Sequence, residues 1–362
     1  MTDSRLPPPR PDEIEVSIFG PGKGESIALH IGGGEWIIVD SCIDQQTNQI
    51  PALEYLASIG VNVSTDVKLV VGTHAHDDHI AGLGRVFEAC RAATFVCSVA
   101  LTAEEFFRDL EADKAIEERL RQSIRSEYRA IFAEVKRRSG KTLKKAIEER
   151  PLLKREPTGD RPEVSITALS PSDHAVERAR VALEAGLAKA EDRRRLGGRD
   201  PNELAVALLV VVGDTAVLLG ADLLEGPTNC GWQAVLATFR PDPLASVFKI
   251  PHHGSPNAHH DEVWTQLVSG EVISLLAPFR AGRKPRPAPD DIQRLKRLST
   301  AVYCSANPRP PAPSKALRTT RAALTTIAAD VRAWGYAGQV RARKVCGSES
   351  WRVETFAPAL QL

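Results

Sequence analysis

The 362-residue sequence is poor in the features that mark several common classes. Aromatic residues make up only 5% of it, and nowhere do they interleave with basic residues to suggest a base-stacking groove. The six cysteines (Cys42, Cys90, Cys97, Cys230, Cys304, Cys346) are scattered with no CxxC pair, which excludes a zinc ribbon and a disulfide framework. A net charge of +1 gives no global field that would gather nucleic acid or a membrane surface. No apolar window approaches the length of a membrane span. The opening "MTDSRLPPPRPDEIEV" has no apolar signal-peptide region, so a cytoplasmic, membrane-independent protein is expected. No internal repeat is visible.

What is present is enough apolar residue, 43%, to bury a large core. Residues 1–12 read as a disordered lead, and 13–362 as one domain. Three short β-type runs come first, "IEVSIFG" (14–20), "ESIALHIG" (25–32) and "EWIIVDS" (35–41). A helical spacing follows at 50–61, then a buried-type strand "VKLVVGT" (67–73), a helix over 80–91 and a strand at 94–99. Residues 102–150 break this alternation. They are highly charged, with Leu120, Ile124, Tyr128, Ile131 and Val135 on one stripe. They are expected to form a helical insertion, either packed on the body or free to bind a protein partner. Strands resume at 163–170, and a helix at 174–192 precedes two apolar runs, "ELAVALLVVVG" (203–213) and "TAVLLGAD" (215–222). "ASVFKIP" (245–251) and "EVISLLAPF" (271–279) are further strands, and 306–362 reads as a C-terminal extension. Two packed mixed sheets with outer helices, an α/β (α+β) class, would accommodate this order.

The densest chemistry lies in "VGTHAHDDHIAGL" (71–83), which places His74, His76, Asp77, Asp78 and His79 directly after an apolar strand. Imidazole and carboxylate are preferred ligands of zinc, manganese and iron. On an extended segment His74 and His76 point to the same side. If the chain then turns into a helix, Asp78 and His79 point elsewhere, so one loop could serve two neighbouring metals. A bridging carboxylate must come from another element, and Asp222 ends an apolar strand where an aspartate is otherwise costly. His252 and His253 end "ASVFKIP" in the same way. Asp77 reads as a helix N-cap or outer-shell residue.

"HAHDDH" matches the HxHxDH motif of the metallo-β-lactamase fold superfamily, and the chain resembles that superfamily over most of residues 14–305. Asp40 ending a strand, "GAD" at 220–222 and "HHGS" at 252–255 support the resemblance. It implies an αββα sandwich with two divalent metals, zinc first and manganese second, at one edge of the paired sheets. The order "LSPSD", "NELAVALLV", "LLGAD", "KIPHHGSP" is similar to the β-lactamase-like domain of DNA-uptake competence (ComEC-type) proteins, in a stand-alone form. Ala205 stands where serine is usual there, and "GAD" replaces "GD". Asp78, His79 and one of His252 and His253, with a lean to His253, would hold one metal. His74 and His76 would hold the other, with Asp222 bridging. The other histidine of the pair would donate a proton or contact substrate, and Asp78 and His252 are the catalytic candidates. His174, the only histidine between HxHxDH and Asp222, reads as a solvated helix-start residue. The first site would then hold its metal weakly, helped by water or Asn202.

The resemblance implies attack by a metal-bound hydroxide on a carbonyl or phosphorus. Basic segments near the inferred rim (Arg195, Arg199; Arg280, Arg283) favour phosphate, with Asn202 and Lys23 as further substrate contacts. A phosphodiesterase or nuclease acting on a phosphorylated small molecule or nucleic acid is therefore expected. The alternatives are an ester, lactone or thioester hydrolase, or a catalytically weak scaffold binding a protein through 102–150.

Overall fold

The computed structural model describes residues 7–102, 124–188, 201–281, 284–309 and 337–362. Its strands are β1 (Glu13–Gly20), β2 (Ser26–Ile31), β3 (Trp36–Val39), β4 (Val67–Gly72), β5 (Thr94–Ser98), β6 (Leu143–Ala146), β7 (Arg150–Arg155), β8 (Val164–Ala168), β9 (Leu208–Val212), β10 (Thr215–Leu219), β11 (Ala245–Lys249), β12 (Val268–Leu276), β13 (Ala301–Cys304), β14 (Gly338–Val345), β15 (Arg352–Phe356) and β16 (Leu360–Gln361). They form two eight-stranded sheets, ordered β15-β14-β1-β2-β3-β4-β5-β6 and β16-β13-β12-β11-β10-β9-β8-β7. The first sheet is antiparallel from β15 to β3 and parallel from β3 to β6, and the second has a parallel centre flanked by antiparallel pairs on both sides. The pairs β3–β4, β4–β5 and β5–β6 are parallel in the first sheet, as are β10–β11, β11–β12 and β12–β13 in the second.

Strict alternation decides which way each strand faces. In β3, Ile37 and Val39 enter the core between the sheets, while Trp36 and Ile38 face outer helices. In β10, Val217 and Leu219 face inward, and Ala216 and Leu218 pack under the helices of the second sheet. Both faces of these strands are covered, which is why the sequence reads there as continuous apolar runs. Helices Pro51–Ser58, Leu83–Ala89 and Ile124–Arg137 cover the first sheet, and Gly231–Thr238, Val263–Gln266 and Pro289–Leu298 the second. This is the αββα sandwich that the resemblance implies. No helix among the described residues is long and apolar enough to cross a membrane.

Four sequence expectations change. The helix expected over 80–91 is two pieces, Asp77–Ile80 and Leu83–Ala89, separated at Gly82 with φ +81°. The 102–150 segment is not wholly helical. Residues 143–146 form β6, pairing in parallel with β5, and Lys144 and Lys145 keep that edge charged. Its helix Ile124–Arg137 packs on the body, with Tyr128, Ile131 and Val135 buried, and Glu127 accepts from the N–H groups of Gly82 and Gly84 at the start of the neighbouring helix. Leu120 and residues 103–123 lie outside the described residues. The C-terminal extension is integral to the sandwich: β14 pairs antiparallel with the whole length of β1, and β16 with β13. Finally, residues 203–207 are not strand. Pro201–Leu204 is a 3-10 turn leading Asn202 into the interior before β9 begins.

Ile37 is fully buried in the core between the sheets. Ile37→Ala is expected to lower unfolding free energy by about 2–5 kcal/mol. Urea denaturation should show a lower midpoint with an unchanged slope.

Candidate metal centre

The carboxyl ends of the parallel strands of both sheets meet at one edge, where crevices of α/β folds commonly take ligands. β3 leads to Asp40, β4 to the 73–79 loop, β10 to Asp222, and β11 to Lys249 and the His252–His253 turn. Several of these positions need special backbone. Asp40, Ala221, His252 and His253 all have positive φ (+59°, +45°, +47° and +53°), a conformation uncommon in non-glycine residues. Gly220 permits β10 to approach β11, since a Cβ there would lie 2.9 Å from the Lys249 carbonyl oxygen.

Three histidines are oriented by what their Nδ1 atoms bind. His79 Nδ1 donates to Asp40 Oδ2 at 2.7 Å, and Asp40 also accepts from the Thr73 amide (2.8 Å) and hydroxyl (2.7 Å). Because that hydroxyl proton goes to Asp40, its oxygen accepts from His74 Nδ1 at 3.0 Å. His253 Nδ1 donates to the Ala277 carbonyl at 3.0 Å, and Phe279 stacks on its ring. The three Nε2 atoms therefore turn inward, the orientation that outer partners impose on metal-binding imidazoles.

The inward atoms converge on Asp222. Its carboxylate lies 3.4 Å from His79 Nε2, 3.5 Å from His253 Nε2 and 3.9 Å from His74 Nε2. Asp78 Oδ2 stands 3.2 Å from His253 Nε2 and 3.9 Å from His79 Nε2. His76 Nδ1 is 3.1 Å from His74 Nε2. His79 and Asp222 are 0% and 2% exposed, yet His79 Nε2 and Asp222 Oδ1 make no hydrogen bond among the described residues. Buried polar atoms left this way are expensive unless something else coordinates them. Their chemistry, imidazole nitrogen and carboxylate oxygen, fits a divalent zinc, manganese or iron ion. Ligand-type atoms of Glu25, His79, Asp222 and His253 all lie within 4.8 Å of one another. Glu25, however, faces the other edge of the rings, 3.7 Å from His79 Nδ1 and 3.7 Å from His253 Nδ1.

The protonation of the cluster follows its charges. Burial opposes charge on His79 and His253, but Asp222 first, with Glu25 and other carboxylates, holds both above the usual histidine range. Burial, with the positive His79 beside it, pushes His74 well below that range. Burial opposes ionisation of Asp78 and Asp222 too. The hydrogen bond from His253 and the His79 charge outweigh it at Asp78, and the His79, His253 and Lys249 charges do so at Asp222, so both carboxyls sit below the usual carboxylate range.

His74, His76, Asp78, His79, Asp222 and His253 are thus brought together. Of the histidine pair, His253 points into the cluster. His252 sits outside it, with Nδ1 3.0 Å from Asn257 Oδ1 and Nε2 3.4 Å from Asn202 Nδ2. Lys23 lies on the β1–β2 loop, which touches the metal loop where the Glu25 amide donates to the Asp78 carbonyl at 2.9 Å. Arg280 is turned onto the β1–β2 loop. Its guanidinium donates to the Pro21 carbonyl and lies against Gly22, clamping that same loop. Arg195, Arg199 and Arg283 lie outside the described residues. Asp77 is an exposed first-turn residue, and the N-cap of its short helix is His76, which makes no side-chain cap. His174 is exposed in the first turn of helix Asp173–Ala188, away from ligand duty as expected. Sequence reasoning missed Glu25 and Lys249. A lysine ending a buried strand, as in "SVFKIP", is the signal that could have found the second.

In protein freed of metal with chelator, the raised His79 and His253 bind protons more tightly folded than unfolded. That stability is complete below about pH 6.5, the unfolded histidine value, and is lost as pH rises through their folded values. The melting temperature is expected to fall as pH rises above about 6.5 without metal. Added Zn²⁺ should remove most of that fall, because it replaces the protons. A flat chelated profile would contradict the assignment.

Residues 20–178 match the family model described as the metallo-beta-lactamase superfamily. None of the curated proteins matches the chain. Among solved structures, the chain is similar to the metallo-beta-lactamase fold protein YhfI of Bacillus subtilis, with 13% identity, 80% of this chain and 95% of that chain covered, and a TM-score of 0.40. It is similar to AidC, a dizinc quorum-quenching lactonase, at 16% identity over 55% of this chain and 56% of that one, with a TM-score of 0.31. It is also similar to CmlA, a diiron beta-hydroxylase from Streptomyces venezuelae, at 13% identity over 68% of this chain and 35% of that one, with a TM-score of 0.33. The sheet architecture and the family-model match together give the chain the metallo-β-lactamase fold.

Proposed function

We propose that the chain is a metal-dependent hydrolase and that its substrate is a phosphodiester, in a nucleotide or a nucleic acid. The observation that carries the first part is the buried convergence of His79, His253, Asp78 and Asp222, with His74 and His76 beside them. Asp78, His79, His253 and Asp222 would hold one ion, and His74, His76 and Asp222 a second, weaker one. Ions held there would make water a nucleophile near neutral pH and polarise the electrophile.

The chain's own residues do the rest. Asp40, Thr73 and the Ala277 carbonyl keep three histidines in one tautomer, so no reorganisation is needed at each turnover. Asn257 accepts the His252 Nδ1 proton, leaving Nε2 as a base beside the Asn202 amide. His252 can therefore take up a proton and return it to a leaving oxygen. Asn202, the Gly-Ala-Asp turn and the His-His-Gly-Ser turn come together at this edge, which supports the competence-type resemblance. The phosphate preference is supported by Lys23, which makes no hydrogen bond or ion pair among the described residues and lies on the loop tied to Asp78. The engagement of Arg280 favours a second reading, an ester, lactone or thioester substrate. The packing of Tyr128, Ile131 and Val135 on the body counts against a partner-binding scaffold built on that helix.

With Mn²⁺ or Zn²⁺, the protein is expected to hydrolyse bis-p-nitrophenyl phosphate, with single-stranded DNA run alongside as the nuclease test. Asp78→Ala should cost at least about 10³-fold in kcat/KM, as loss of a central electrostatic group does. Lys23→Ala should raise KM about tenfold with kcat little changed, the signature of a lost binding charge. Turnover of p-nitrophenyl acetate but not of either phosphodiester, from metal-loaded protein, would replace the phosphodiester reading with the carbonyl one.

A further inference from the structure

A buried ion pair lies directly behind the centre, between Lys249 and Glu25, whose carboxylate borders the His79–Asp222–His253 cluster. Lys249 ends β11 and is 1% exposed, and Glu25 immediately precedes β2 and is also 1% exposed. Lys249 Nζ donates to the Ala221 carbonyl at 2.8 Å and contacts Glu25 Oε1, while Asp222 Oδ1 lies 3.8 Å away. Two carboxylates thus face one buried ammonium. Glu25 Oε1 has it, while Glu25 Oε2 and Asp222 Oδ1 are left without a hydrogen bond among the described residues.

We propose that Glu25 sequesters the Lys249 ammonium, so that the Asp222 carboxylate stays open for a metal ion. The inference rests on the metal-centre reading above. Glu25 is placed for this by its backbone, since its amide is fixed on the Asp78 carbonyl at 2.9 Å. Gly24, at φ +97°, lets the loop pass so close that a Cβ would lie 2.8 Å from Cys42 Cβ. Glu25 stands on the other side of the rings from Asp78. It faces the Nδ1 edges of His79 and His253, which Asp40 and the Ala277 carbonyl already occupy, whereas the Nε2 edges face Asp78 and Asp222. Without the Glu25 charge, the nearest anion to Lys249 is Asp222. A flexible four-carbon stem needs to move its ammonium only about 1 Å to bring the pair to hydrogen-bond distance. Lysine would then compete with metal for the bridging carboxylate.

The test is metal retention in the full chain. Zinc content would be read by mass spectrometry after dialysis, and Zn²⁺ affinity by competition with a chromophoric chelator, with folding followed by circular dichroism. Glu25→Gln is expected to weaken Zn²⁺ binding about 10- to 100-fold, the strength of one new lysine–carboxylate hydrogen bond. Lys249→Met should bind no more weakly than wild type. The double variant Glu25→Gln/Lys249→Met should return to within about threefold of wild type, and it should fold, because replacing both members of a buried pair is commonly tolerated. If Glu25→Gln does not fold, the other two variants decide. The proposal is overturned if folded Glu25→Gln binds like wild type, or if Lys249→Met or the double variant binds tenfold or more weakly. The last result would mean that Glu25 acts on the histidines or on the ion directly. A wild-type chain that retains no zinc overturns the metal-centre reading along with this one.

Discussion

Asp222 is a carboxylate buried to 2% exposure at the seam between two sheets, and the rest of the site is arranged around that charge. An isolated ion in such a place would cost several kcal/mol. It survives because His79, His253 and Lys249 surround it, and because their own positions are fixed by further groups. The carboxyl ends of strands β4, β10 and β11 deliver these side chains to the same few ångströms.

The site is built in two layers. The inner layer is the Nε2 atoms of His74, His79 and His253 with the carboxylates of Asp78 and Asp222. The outer layer is Asp40, Thr73, the Ala277 carbonyl and the Glu25–Lys249 pair. The outer layer does what packing alone cannot do. It chooses the tautomer of each ring and decides which carboxylate keeps the buried ammonium. The two halves of the centre differ in this support. The His79–His253 side has a partner on each Nδ1. On the other side His76 lies on the loop with its Nδ1 beside His74 Nε2, and the His79 ring centroid lies 4.2 Å from that of His74.

Much of this was legible in the sequence because it is local. HxHxDH is a six-residue pattern, and its meaning survives without knowledge of the fold. Asp222 was legible because an aspartate closing an apolar strand is costly unless used. The preference for His253 over His252 was weaker, since it depends on which ring a left-handed turn directs inward. Glu25 and Lys249 were not legible as a pair, because only the packing of one sheet on the other brings β2 and β11 together. The contact of Arg280 with the Pro21 carbonyl was not legible for the same reason: the two residues lie 259 positions apart. The strand at 143–146 was hidden in a charged stretch whose lysines suit an edge as well as they suit a helix. The C-terminal strands were visible as strands, but their place beside β1 and β13 is a matter of long-range register.

The central claim is that the inward Nε2 atoms and Asp222 form one metal-holding centre. The most direct measurement is a crystal structure of the zinc-loaded protein with anomalous data collected on both sides of the zinc edge. The account predicts an anomalous peak at bonding distance from His79 Nε2, His253 Nε2 and an Asp222 oxygen, with Glu25 still on Lys249. A peak on the Nδ1 side, coordinated by Glu25, or no peak at all in zinc-loaded crystals, would contradict it.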